Sequence, residues 1–127
     1  MKLDSIASDE AHNLNTGYAQ CAALTDVQKI AFVSGQIPLR PDGSLPVSFA
    51  EQADQAWANV KAQLEAAGMG MDNIVKHTTY LSDRKYKVEN RAARLKALGD
   101  HAPALTVVIA GIFDDDWLLE VEAVAAS

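Results

Sequence analysis

Leu105-Thr106-Val107-Val108-Ile109-Ala110 decides how this chain folds, because it is apolar on both of its alternating sides. Side chains along a strand point to opposite faces with a period of two, so a strand of this kind needs cover above and below. Ile30-Ala31-Phe32-Val33 has the same two-sided character. Further strand candidates, rich in β-branched and aromatic residues, run over 18–23, 29–34, 74–81 and 117–125.

Two helices are available to cover them. Ser48-Phe49-Ala50-Glu51 reads as a capping box, and Phe49, Ala53, Ala56, Val60 and Leu64 then form one stripe that ends at Gly68. A second helix starts near Ser82-Asp83, is expected to bury Val88, Ala92, Leu95 and Leu98, and stops at Gly99. Pro41-Asp42-Gly43 marks a turn after the second strand. The order is β-β-α-β-α-β-β, an α+β chain with two helices on one face of a mixed sheet. A length of 127 residues suits a single domain, 1–127. Two helices cover one face only, and a bare apolar face predicts self-association. The alternative is a loop, residues 36–47, folded across it.

Composition narrows the function classes. The net charge is −6, with 49% apolar and 22% charged residues, and an acidic surface repels phosphate backbones. Nucleic acid is therefore not an expected partner. The basic run Arg84-Lys85-x-Lys87 with Arg91 and Arg94 reads as a solvated helix face. The N-terminus has no apolar core of a signal peptide and no run approaches a membrane span, so a soluble, cytoplasmic protein is expected. Cys21 is the only cysteine, which excludes an internal disulfide framework, and it reads as a small buried hydrophobe. No two of the three histidines have metal-ligand spacing, so no metal is expected. His77 reads as a hydrogen-bonded sheet histidine, His101 as a loop fastener, and Asp114-Asp115-Asp116 as an acidic turn. Glu120 and Glu122 share one side of their strand, with Glu120 the candidate water activator and Glu122 a structural carboxylate bonded to backbone amides or to a lysine across the interface between copies.

Three segments together resemble one family. Phe32-Val33-Ser34-Gly35-Gln36-Ile37-Pro38-Leu39 resembles its strand-and-turn signature, and 73–83, Asn-Ile-Val-Lys-His-Thr-Thr-Tyr-Leu-Ser-Asp, its central strand. His101-x-Pro103-Ala104 with Glu120-Val121-Glu122-Ala123-Val124-Ala125 resembles its C-terminal hairpin. The family is the reactive-intermediate deaminase (RidA-like) group, formerly filed under endoribonuclease and translation-inhibitor names. The resemblance implies a chorismate-mutase-like fold and a homotrimer with sites in clefts between subunits. It also implies cofactor-free hydrolysis of 2-imino or 2-enamino acids to 2-keto acids and ammonia.

The same resemblance implies site residues. Glu120 matches the catalytic, water-positioning glutamate; Tyr18, within Thr16-Gly17-Tyr18 where the family has Gly-Pro-Tyr, matches a pocket tyrosine. Ser34 and Gly35 match the pocket wall, and Leu105 and Thr106 fall in the substrate-binding stretch. Asn90 stands beside a family asparagine position. Leu105 occupies the place where the family carries the arginine that grips the substrate carboxylate, a bidentate contact that leucine cannot make. Loss of that pair costs roughly 10²–10⁴ in kcat/KM by transition-state arithmetic. A changed substrate is therefore expected: a hydrolase of an imine, enamine or related small molecule other than the usual 2-imino acids, with a more apolar, neutral ligand in the cleft. The alternative is a binding protein without turnover on the same trimeric scaffold, and Arg40, Arg91 and Lys76 are the candidate replacement cations.

Overall fold

A computed structural model of the chain describes residues 1–13 and 17–127. The elements follow in the order β1 (Lys2–Ile6), β2 (Cys21–Thr25), β3 (Ile30–Gln36), α1 (Phe49–Ala66), β4 (Ile74–Leu81), α2 (Lys87–Leu98), β5 (Ala104–Ile109) and β6 (Leu119–Ala126). Single 3-10 turns at Met71–Asn73 and Arg84–Tyr86 introduce β4 and α2. The main sheet has the order β3-β6-β4-β5, with β4 and β5 parallel and its other pairs antiparallel. β1 and β2 form a separate antiparallel pair. The expected α+β layout is present, with one strand added at the front. Lys2-Leu3-Asp4-Ser5-Ile6 is short and half polar, so its pairing with β2 left little periodic signal.

α1 forms where its stripe places it. Ser48 accepts from the Glu51 N–H at 3.2 Å, and Phe49, Ala53, Ala56, Val60 and Leu64 are all buried. The helix stops at Gly68, whose φ of +76° carries the chain into the left-handed region. The Met69 N–H then donates to Leu64 O at 2.8 Å and that of Gly68 to Glu65 O at 3.0 Å, the reverse turn of a Schellman motif, with Met69 buried back on the core. Against this stripe β6 presents Leu119, Val121, Ala123 and Ala125, while β4 presents His77, Thr79 and Leu81, all buried.

α2 is turned relative to its expected face. It buries Asn90, Ala93, Arg94 and Leu98, while Val88, Ala92 and Leu95 face outward and Val88 is 79% exposed. The buried stripe carries Asn90 and Arg94 and is more polar than the outward one, and stacking of Tyr86 on Phe49, centroids 4.5 Å apart, anchors the first turn of the helix beside α1. One consequence is that Arg94 is inside, not on a solvated face.

The other sheet face is bare. Phe32 is 79% exposed and Ile30 is also open. The loop after β3 does not cross that face: Asn59 on α1 donates to Ile37 O and Leu39 O at 2.9 Å each, which holds the loop on the helix side. Gln52, buried on α1, donates to Pro46 O at 3.0 Å and Asp116 O at 3.1 Å and accepts from the Leu118 N–H at 2.8 Å. That single amide fixes two loops and sets the entry into β6. Asp114–Asp116 forms an exposed turn there, with the Asp116 N–H on Asp114 Oδ1 at 2.8 Å. Cys21 is exposed rather than buried, on a strand that stands outside the main sheet.

His77 is buried without a hydrogen-bond partner on either ring nitrogen among the described residues, against the expectation of a hydrogen-bonded ring. It meets Trp57 edge-on, centroids 5.1 Å apart and planes at 77°. Burial, aided by Arg94, Lys76 and His101, lowers its pKa to about 4. An unfolded His77 takes up a proton near its ordinary value of about 6.5, so its neutral form stabilises the fold above that pH. This contribution, up to about 3 kcal/mol, is lost as pH falls from about 6.5 toward 4. His77→Leu is expected to flatten the dependence of urea-unfolding free energy on pH across that window; an unchanged slope would refute it.

Candidate functional site

The sequence candidates separate onto two faces of the sheet. In the β4–β5 register Leu105 stands beside His77 and in the β4–β6 register Glu120 stands beside Tyr80. Neighbours on one strand point to opposite faces, so Leu105 faces the helix side and Glu120 the bare side.

On the helix side a cleft of about 670 Å³ lies between α2 and the edge strand β5. Tyr18, Leu81, Leu105, Val107 and Ile109 line it, and Thr106 borders it. Tyr18 reaches this place because the Ala19 N–H donates to Pro103 O at 3.2 Å and Ala19 bridges to Ala104. Thr16 lies outside the described residues. α2 contributes Lys87, Asn90, Arg91 and Arg94, and Arg84 comes from the turn before it. Of the three candidate replacement cations, Arg91 lines the cleft. Lys76 is on the bare face, donating to Thr106 Oγ1 at 2.7 Å, and Arg40 is held in its own loop by Ser44 at 3.1 Å. Sequence reading missed Arg94, Lys87 and Arg84 as cleft residues, because only the docking of α2 and of the turn before it shows which of their charges turn toward the cleft.

On the bare side Glu120 lies directly over Gly35: a Cβ at that position would overlap the Glu120 carboxylate. Gly35 belongs to a β3 segment where pairing with β6 slips between Val33 and Gln36, and the missing side chain is what lets the carboxylate lie down there. Ser34 borders a shallow depression of about 320 Å³ with Phe32, Thr78 and Glu122. Glu122 accepts from the Tyr80 hydroxyl at 2.6 Å, so its hydrogen-bond partner within the chain is a phenol rather than a backbone amide. That hydrogen bond raises the Tyr80 pKa. His101 contacts the Ile74 carbonyl at 2.6 Å and fastens its loop to the start of β4, as expected of it.

A family model for endoribonuclease L-PSP matches residues 10–127. The chain belongs to this family, the RidA-like group. It is 35% identical over 104 residues to the 2-iminobutanoate/2-iminopropanoate deaminase of Escherichia coli K12, covering 79% of this chain and 81% of that protein. The crystal structure of E. coli TdcF with bound serine superposes with a TM-score of 0.74 at 29% identity, covering 98% of each chain. The Rid-family protein YyfB from Yersinia pestis, at 19% identity, superposes with a TM-score of 0.84 over the full length of both chains. The fold is thus the chorismate-mutase-like fold of the Rid proteins. Within this RidA-like chain, Leu105 is the residue beside Pro103-Ala104 at the head of β5.

The packing of Glu120 on Gly35 has a measurable consequence. Gly35→Ala is expected to cost about 1–3 kcal/mol through overpacking, and to cost about 1 kcal/mol less when Glu120 is also replaced by Ala. Urea unfolding of the four proteins gives the coupling; strict additivity would show that the two residues do not touch.

Proposed function

We propose that this RidA-like chain is a cofactor-free hydrolase of an imine, enamine or related small molecule other than the usual 2-imino acids. It works as one domain spanning 1–127, in a cytoplasmic homotrimer, at clefts between subunits. The observation that carries this reading is the separation of the site residues. Leu105, Tyr18 and Thr106 border one cleft, while Glu120, Gly35 and Ser34 lie across the sheet from it. One copy cannot bring both sets to one ligand, whereas a neighbouring copy packed through its bare face can present the second set at the first copy's cleft. Exposed Phe32 and Ile30 supply the apolar area such packing needs.

The chemistry asks little of the protein. The Glu120 carboxylate orients a water and takes its proton as the oxygen attacks the C=N carbon, and the proton passes on to nitrogen. The carbinolamine hydroxyl then gives up its proton, which passes through Glu120 to nitrogen as the C–N bond breaks, leaving C=O and ammonia. Leu105, in place of the family's arginine, removes the usual carboxylate grip. The E. coli relative is a 2-iminobutanoate/2-iminopropanoate deaminase, and Leu105 argues for a different ligand here. A second reading, binding without turnover, draws on the apolar floor of Leu81, Leu105, Val107 and Ile109.

Imines generated in situ from a range of amino acids and amines provide the test. Hydrolysis above buffer is expected for at least one class, falling roughly 10²–10⁴-fold in Glu120→Gln. No acceleration for any class would leave the binding reading. Leu105→Arg is expected to raise 2-iminopropanoate hydrolysis by at least about tenfold, and light scattering at micromolar concentration to report a trimer; a monomer would overturn the shared cleft.

A further inference from the structure

Arg94 carries a charge that its own chain does not compensate. It is only 8% exposed, yet its hydrogen bond among the described residues is a long one, Nη1 to Gly17 O at 3.4 Å. The ion pairs among the described residues are Lys2–Asp4, Lys61–Glu65 and Lys96–Asp54, so no carboxylate stands within 4.0 Å of this guanidinium. The charges acting on it are unfavourable: burial and the nearby Arg91 both lower its pKa, and only Tyr18 pulls the other way. His77, close enough for Arg94 to depress its pKa further, is neutral near pH 7. A buried guanidinium surrounded by cations is costly unless an anion joins it.

The place where that anion fits is open. Arg94 lines the Leu105 cleft, and so does Asn90, one helical turn earlier. Asn90 is 6% exposed, and its Oδ1 is buried without a partner among the described residues. Arg84, Lys87 and Arg91 add three exposed cations around the same cleft, and its lining contains no carboxylate. In a chain of net charge −6 this local excess of positive charge is selective for anions. The floor opposite is Leu105, Val107 and Ile109, which offers nothing polar.

We propose that Arg94, reaching from α2, is the anion-binding residue of this cleft. Its ligand is a carboxylate with an apolar body and an N–H or O–H donor next to the carboxylate. The guanidinium fork takes the carboxylate, Asn90 Oδ1 accepts from the donor, and the apolar body lies on Leu105 and Val107. The expectation of a neutral ligand then gives way, since the charge that β5 lacks is supplied from the facing helix. This rests on the reading of the cleft as the ligand site.

Isothermal titration of the full chain with 2-hydroxy-4-methylpentanoate and its primary amide tests it without requiring turnover. The carboxylate is expected to bind at least roughly tenfold more tightly than the amide, and to weaken with added salt. Arg94→Gln is expected to abolish that preference while leaving amide affinity within about twofold, and Arg94→Lys to keep part of it. Equal affinities in the unmodified protein, no binding of either compound at millimolar concentration, or an undiminished preference in Arg94→Gln would overturn the proposal. If Arg94→Gln does not fold, a crystal structure of the unmodified protein with the carboxylate decides, and a carboxylate out of hydrogen-bond reach of Arg94 overturns it. Carboxylate preference without imine turnover would refute the hydrolase reading alone. Turnover of neutral imines without carboxylate preference would refute this inference alone.

Discussion

The alternation of β6 is the constraint from which the rest of the molecule follows. Leu119, Val121, Ala123 and Ala125 are buried beneath the helices, so Glu120, Glu122 and Val124 must point the other way. A slip of one residue would drive two carboxylates into the core and expel four apolar side chains. With β6 paired to β3 on one edge and β4 on the other, its register is transmitted to both neighbours. The acids therefore stand on the bare face because burial of their neighbours leaves them nowhere else.

The loops that border the site are held by amides reaching out of α1. Gln52 uses both ends of its side chain on backbone groups, and Asn59 both donors of its NH₂. Each bond satisfies a carbonyl or N–H that would otherwise be buried alone. The entry to β6, and hence the position of Glu120, depends on a helix whose face was selected for core packing. Near Arg94 and Asn90 this economy fails: Asn90 Oδ1 is buried without a partner among the described residues, and Arg94 reaches only Gly17 O, at 3.4 Å. A chain that satisfies its loop carbonyls this carefully and leaves a guanidinium without an ion pair among the described residues has placed that exception at a cleft.

Much of this was legible in the residues. The α1 stripe and its stop at Gly68 survive intact, because a capping serine, apolar spacing and a terminal glycine all agree. β4 matches its expected bounds, and the apolar excess of β3 is the exposed face that was anticipated. Leu105 was recognisable as a substitution only through resemblance to a family. Other features depend on partners distant in sequence. Lys2–Ile6 is a strand only because β2 lies beside it. The buried face of α2 carries Asn90 and Arg94 and is set by docking against α1 and the sheet, overriding the more apolar stripe that the periodicity in 87–98 favours. His77, without a hydrogen bond among the described residues, is met edge-on by Trp57, a contact between residues twenty apart.

The rotation of α2 bears most directly on what Leu105 means. A cation on β5 would rise from the floor of the cleft, whereas Arg94 enters from its helical wall. An anion held from the wall frees the floor to accept carbon, and Leu105, Val107 and Ile109 are what line it. A leucine beside an arginine on the same strand would gain little, since each would spoil the other's surroundings: the apolar neighbour raises the desolvation cost of the charge, and the charge keeps water at the apolar surface. Separating them onto facing elements lets one ligand satisfy both, with its charged end and its apolar body pointing to different walls. Leu105 and Arg94 are thus better understood as one change in the cleft than as a loss in one place and an oddity in another.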